Sequence, residues 1–223
     1  MPLFTRRNKG GGGPPWWQAY ESLDWSRIRR RTPVEALRFV VLDTETTGTD
    51  ARRDRLLSVS AIGIEKLEMQ IGRTLELVVH QDSFAGGPSV PVHGIKPEDS
   101  KAGLPEAEAL RRVLAFVENR IIVGHRIGFD LRVLNEGLGR MGLGELRNKW
   151  LDTAQLGMRA EHLFPNPYIR QDEYSLDALC NRYHVRPRYR HTASGDVFIT
   201  GILLLKLLGK LRTRGAVTWG QIR

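Results

Sequence analysis

Only one cysteine, Cys180, occurs in 223 residues. No internal disulfide can form and no multi-cysteine metal site can exist, which suits a reducing, cytoplasmic setting. Long apolar runs are also lacking. The most apolar stretch, Ile199 to Leu208, is broken by Thr200, Gly201 and Lys206, and falls short of the ~20 apolar residues that a bilayer span needs. The segment Met1 to Lys9 has no apolar core, and Arg6-Arg7 is followed by Asn8-Lys9 and a run of glycines, so no export signal and no membrane association are expected. Those glycines do not make a phosphate loop, because Pro14-Pro15 follows them in place of Gly-Lys-Ser/Thr. No internal repeat is present.

What is there reads as a folded chain. Hydrophobic residues make up 41% and charged residues 26%, the composition of a globular protein rather than a disordered one. The net charge of +9 is unevenly spread: +5 over residues 1–38, −4 over 39–181 and +8 over 182–223. Basic ends around an acidic middle fit a polyanionic partner and a cation site between them. A solvated basic surface would give the same numbers.

Residues 1–36 read as a basic, Gly/Pro-rich arm, with disorder expected over 1–13. A short helix is expected from Pro15, with Trp16, Tyr20 and Leu23 at helical spacing. Those aromatics either pack back on the core or offer a docking surface to a protein partner. Residues 37–43, 56–64 and 69–79 read as three strands of an antiparallel meander, and Ser89 to Asp99 as loop. Helices are expected over Pro105–Arg120, Phe129–Met141, Ser175–His184 and 194–211, with short strands at 120–124 and 149–152. Strands followed by alternating helix and strand mean an α/β fold with a mixed sheet. The main domain is set at 37–213, and 214–223 is left as a C-terminal tail.

Chemistry gathers in the acids. Asp43 and Glu45 end the first strand in VLDTETTG, and residues i and i+2 of a strand share a face. Two carboxylates so close either share a proton or hold a cation between them, and hard oxygen ligands favour Mg²⁺ or Mn²⁺. Asp130 falls in the first turn of a helix that follows a strand, where a helix-capping acid is the plainer explanation. His191 and Asp196 are five residues apart, so His191 is expected on a loop and Asp196 on the next helix, closing on one site from different sides. Four acids and a histidine match what two-metal phosphodiester hydrolysis requires, with histidine able to take a proton near neutral pH.

These stretches resemble the DEDD superfamily of 3′→5′ exonucleases, in the histidine branch that includes the proofreading epsilon subunit of bacterial DNA polymerase III. Val41-Leu42-Asp43-Thr44-Glu45-Thr46-Thr47-Gly48 is similar to its first motif, Val123-Gly124-His125 with Phe129-Asp130 to its second, and His191 with Asp196 to its third. Val92-His93-Gly94-Ile95 and Tyr174 to Cys180 resemble accessory stretches. The resemblance covers about residues 37 to 213 and implies a ribonuclease H-like fold: a five-stranded mixed sheet, three strands antiparallel and two parallel, flanked by helices. It implies that Asp43, Glu45, Asp130 and Asp196 ligate two Mg²⁺ or Mn²⁺ ions and that His191 is the general base. It also implies substrate contacts at Thr44, Thr46, Thr47, His93 and Phe129, although Phe129 also reads as a core residue.

Thr192 occupies the position, four before the last aspartate, where the sister branch has tyrosine. Arg126-Ile127 stands where many members have Asn-Ala, which puts nucleotide positioning there in question. Asp152 and His125 read as structural, and the arginine-rich stretch Arg182 to Arg190 as either a single-strand grip or a solvated loop. The expected activity is metal-dependent removal of 5′-mononucleotides from the 3′ end of single-stranded nucleic acid, with DNA favoured over RNA as the partner and the choice between them left open. The alternative is a polymerase- or repair-associated binding subunit with weak exonuclease activity. No long tail follows the last helix, so a free-standing enzyme is expected.

Overall fold

A computed structural model describes residues 12–82, 84, 94–161, 170–186 and 192–223. Its strands are β1 (Arg38–Thr46), β2 (Leu56–Glu65), β3 (Glu68–Val78), β4 (Ile121–Gly124) and β5 (Trp150–Asp152). They form one sheet in the order β3-β2-β1-β4-β5. The pairs β1–β2 and β2–β3 are antiparallel, whereas β1–β4 and β4–β5 are parallel. This is the mixed ribonuclease H-like sheet expected. Lys66 and Leu67 join β2 to β3 with φ of 52° and 60°, the left-handed pair that lets a tight hairpin follow the strand twist.

The described helices are α1 (Pro15–Glu21), α2 (Pro97–Lys101), α3 (Glu106–Val117), α4 (Gly128–Arg140), α5 (Thr153–Glu161), α6 (Leu176–Arg182), α7 (Ala193–Thr213) and α8 (Trp219–Ile222). Alternation along β1 sorts them into two layers. Phe39 and Val41 face a core shared with Leu156 of α5, Leu179 of α6, Leu203 and Leu207 of α7, and Trp219 and Ile222 of α8. Val40 and Leu42 face the opposite core, with Trp17 and Tyr20 of α1, Leu110 and Val113 of α3, and Val133 and Leu134 of α4. The sheet is therefore buried on both sides, as its near-continuous apolar strands require.

Several boundaries differ from the sequence reading. β1 does not stop at residue 43 but runs to Thr46, because Asp43, Thr44 and Glu45 stay in register with Ser60, Val59 and Ser58 of β2. The loop expected over 89–99 contains the start of α2, where Pro97 fits the first helical turn and Asp99 accepts the Lys96 N–H at 2.9 Å. Helix α5 was not expected at all. It begins at the residue after β5, and Asp152 Oδ1 accepts the Ala154 N–H at 2.9 Å. The last residue of the strand is thus also the cap of the helix.

Both flanks pack onto the sheet. Tyr20 is buried, its hydroxyl donates to Asn148 Oδ1 at 2.6 Å, and it accepts the Arg147 N–H at 2.8 Å. Burial pushes its phenol up to about 12. Residues 214–223 return beside the arm through a Pro33–Thr218 bridge. No helix among the described residues is long and apolar enough to cross a membrane.

Candidate active site

The two-residue period of β1 continues past its core-forming half, and this builds the site. Asp43 and Glu45 follow Phe39 and Val41 on the α7 face of the sheet. Thr44 and Thr46 follow Val40 and Leu42 on the α4 face. Each face meets the first turn of a helix, which carries Asp196 in α7 and Asp130 in α4. Helix N-termini favour negative charge, so both acids sit where an anion is least costly to hold.

On the α4 side the contacts are closed. The Thr44 N–H and the Thr44 hydroxyl both donate to Asp130 Oδ1, at 2.9 and 2.7 Å. Asp130 is buried, and that burial lifts its carboxyl to about 6; the Thr44 hydrogen bonds pull against the shift, and nearby Asp152 adds to it. Asp152 Oδ1 accepts the Arg126 N–H at 3.1 Å as well as that of Ala154, so it is a structural acid, as the sequence reading held. Arg126 is left-handed, with φ of 56°. Gly124 is required where β4 crosses β1: a Cβ there would lie 2.8 Å from the Leu42 carbonyl oxygen and 2.4 Å from Ile127 Cδ1.

On the α7 side lies an open cleft of about 550 Å³, whose walls include Glu45, Ser58, Ser60, Glu76, Asp99 and Thr192. No lysine or arginine is among its described lining residues. Glu45 is lifted to about 7, first by burial and then by the negative charges of Asp196 and Asp130. Three of the four expected ligands are therefore close enough to repel one another. Asp43 points to the same face, in register with Ser60.

Hard oxygen donors in a cleft without a compensating cation are a donor set that suits a divalent metal ion. Among the described residues, no three acidic or histidine side chains already converge on a single cation position. Asp130 Oδ1 is instead turned onto Thr44.

The other expected residues fall in different places. The Thr44 hydroxyl is committed to Asp130. The Thr46 hydroxyl donates to the Gly48 carbonyl at 2.5 Å, and that of Thr47 to Asp54 Oδ1 at 2.9 Å, so both shape the turn after β1. Phe129 is half-buried against the α4-side core. His125 Nδ1 lies 3.0 Å from the Thr153 hydroxyl, a structural contact. His191 and His93 lie outside the described residues. The sequence reading missed the cleft wall of Ser58, Ser60 and Glu76. Its signal was present as serines at alternate positions of the otherwise apolar LLSVSAIGI.

Comparison with known proteins gives the family and the fold. The family profile described as "Exonuclease" (RNase_T) matches residues 40–204. A "DNA polymerase III subunit epsilon-like protein" of Rhodobacter capsulatus is 31% identical over 194 residues, covering 86% of this chain and 26% of the relative. A "DNA polymerase III PolC-type" of Halalkalibacterium halodurans is 30% identical over 191 residues, covering 85% of this chain and 13% of the relative. The chain thus spans only a minor part of these relatives. Among solved structures, the zinc-ion-bound form of the E. coli ExoI–ssDNA complex shares the fold, with TM-score 0.66 and 22% identity over 80% of this chain and 42% of that one.

Proposed function

The chain belongs to the exonuclease family that this profile defines, and on that premise we propose that it is a metal-dependent 3′→5′ exonuclease acting on single-stranded nucleic acid, DNA in preference to RNA. The observation that carries the proposal is the placement of Asp43 and Glu45 at the end of β1 beside the first turns of α4 and α7, which hold Asp130 and Asp196. In this reading residues 37–213 are the catalytic domain. Asp43, Glu45, Asp130 and Asp196 would hold two divalent ions, Mg²⁺ or Mn²⁺. When bound, such ions supply charge stabilisation of the scissile phosphate and a lower pKa for the attacking water.

The residues of the chain do the rest. Thr44 holds Asp130 in one orientation. His191 takes the proton of the attacking water as its oxygen bonds to phosphorus. The P–O3′ bond then breaks, the departing 3′ oxygen takes up a proton from solvent, and a 5′-mononucleotide is released. The described wall of the cleft beside Glu45 carries carboxylates, hydroxyls and apolar side chains such as Leu77 and Ile95, a lining that suits the sugar and base of the terminal nucleotide. A cytoplasmic location fits the single buried cysteine and the polymerase III relatives. The second reading, a binding subunit with weak activity and a partner on the arm, has only the half-buried Trp16 and Leu23 beside α3 in its favour.

The test is digestion of 3′- and 5′-labelled single-stranded DNA and RNA with Mg²⁺, Mn²⁺ or EDTA. The 3′ label should be released at once as a mononucleotide, and the 5′-labelled strand should shorten stepwise. EDTA should stop both. Shortening from the 5′ end, or full activity in EDTA, would overturn the proposal.

A further inference from the structure

A second groove, of about 340 Å³, lies at the free edge of β5, opposite in character to the cleft. Its walls include Trp150, Asp152, Gln155, Arg159, Ile222 and Arg223. Trp150 is 46% exposed, which is unusual for an indole on a sheet edge, where a large apolar side chain invites unwanted pairing. Arg159 and Arg223 are exposed, and among the described residues neither is in an ion pair with a carboxylate. The one acid in the wall, Asp152, has Oδ1 engaged by two backbone N–H groups. An exposed aromatic residue and two exposed arginines lining one groove are the residue types that grip an unpaired base and its flanking phosphates.

Position links the groove to the active site. Asp152 pairs with Gly124 at the end of β4, just before the helix that carries Asp130, and Trp150 pairs with Ile122 two residues below. Trp150 is two residues from Asp152, about 7 Å along the strand, and β5 is two strands from β1, about 10 Å across the sheet. By register Trp150 lies on the α4 face with Ile122, so a single strand with its terminal phosphate at Asp43 and Glu45 passes over the ends of β4 and β5 before it reaches Trp150. We propose that the Trp150–Arg159–Arg223 groove is an upstream contact for the single strand, with one base stacked on Trp150 and neighbouring phosphates on the two arginines. The inference rests on the exonuclease reading for which end of the strand lies where.

Trp150→Ala, Trp150→Phe and Arg159→Gln, made in the full chain, test it on a dinucleotide and on a long oligothymidylate. Trp150→Ala should raise the oligonucleotide KM roughly tenfold with kcat held, and leave kcat/KM for the dinucleotide unchanged. Trp150→Phe should recover most of the loss, since it keeps an aromatic face. Arg159→Gln should lower the slope of log affinity against log salt by about one. An unchanged oligonucleotide KM in both Trp150→Ala and Arg159→Gln would overturn the assignment and leave the groove to another occupant, such as a protein segment. Equal losses on both substrates would also overturn it. If the unaltered protein cleaves neither substrate, the exonuclease reading fails, and equilibrium binding of the oligonucleotide to the same variants judges the groove by itself.

Discussion

Adjacent residues of one strand end build two unlike surfaces. On the α4 face, Thr44 and Asp130 are tied by two hydrogen bonds, and the carboxylate is buried. On the α7 face, Glu45 shares an open cleft with serines and further acids, and burial with the charges of Asp196 and Asp130 pushes it up to about 7. The first surface spends its polarity on holding an acid still. The second keeps acids accessible and mutually repelled, a state that a divalent ion relieves. A buried carboxylate given donors is a fixed post, and a half-buried one beside other carboxylates favours the approach of positive charge.

The sharpest way to break this contrast is on the open face. Asp43→Ala should abolish turnover while leaving the fold intact. Near wild-type turnover in Mg²⁺ would remove the two-metal proposal. His191→Ala should lower the single-turnover rate by roughly 10²–10⁴-fold. The histidine-like limb of the pH–rate profile should vanish or shift upward, while metal binding by the four acids persists. A limb that stays in place would leave His191 no role as base.

The closed face should respond more through stability. Thr44→Val keeps the shape and the backbone N–H but removes the 2.7 Å hydroxyl bond to Asp130. Denaturant unfolding at neutral pH should register a loss of about 1.5–3 kcal/mol, the usual worth of a hydrogen bond to a charged group. Turnover should fall modestly beside the loss in Asp43→Ala. Unaltered stability would mean that Asp130 is held by something other than Thr44.

The smallest effect is in pH. Glu45 and Asp130 have folded-state values raised to about 7 and about 6. Their protonated forms therefore favour the folded state. This contribution is complete below the ordinary carboxylate range and is lost as pH rises through the folded values. In EDTA, Tm should decline between about pH 4.5 and 7, the decline should be shallower in Glu45→Gln, and Mn²⁺ should offset it near pH 7. A pH slope identical in the variant would show that Glu45 does not contribute to it.

Much of this was legible in the chain. The two-residue period puts Asp43 and Glu45 on one face without any knowledge of what they face, and strand-then-helix order puts Asp130 and Asp196 in first turns. What stayed hidden was non-local. Nothing near Thr44 in the sequence points to Asp130, and the cleft wall of Ser58, Ser60 and Glu76 depends on the registers of β2 and β3, which no single strand declares. Helix α5 was missed because Asp152 was read only as a strand-end acid, although its second role as helix cap starts the next element without a loop.

The Thr44–Asp130 bond joins positions 86 apart, and Asp196 comes later still. β1 and β2 can pair early across a short connection, but β4 must close a long loop before it reaches β1, and long closures slow assembly. The proposed hydrolytic centre is thus a late product of folding, not a property of the first hairpin. A chain still being synthesised carries Asp43 and Glu45 from early on, yet stays inert until α4 and then α7 have arrived. Recovery of hydrolysis during refolding is accordingly a report on the completed sheet.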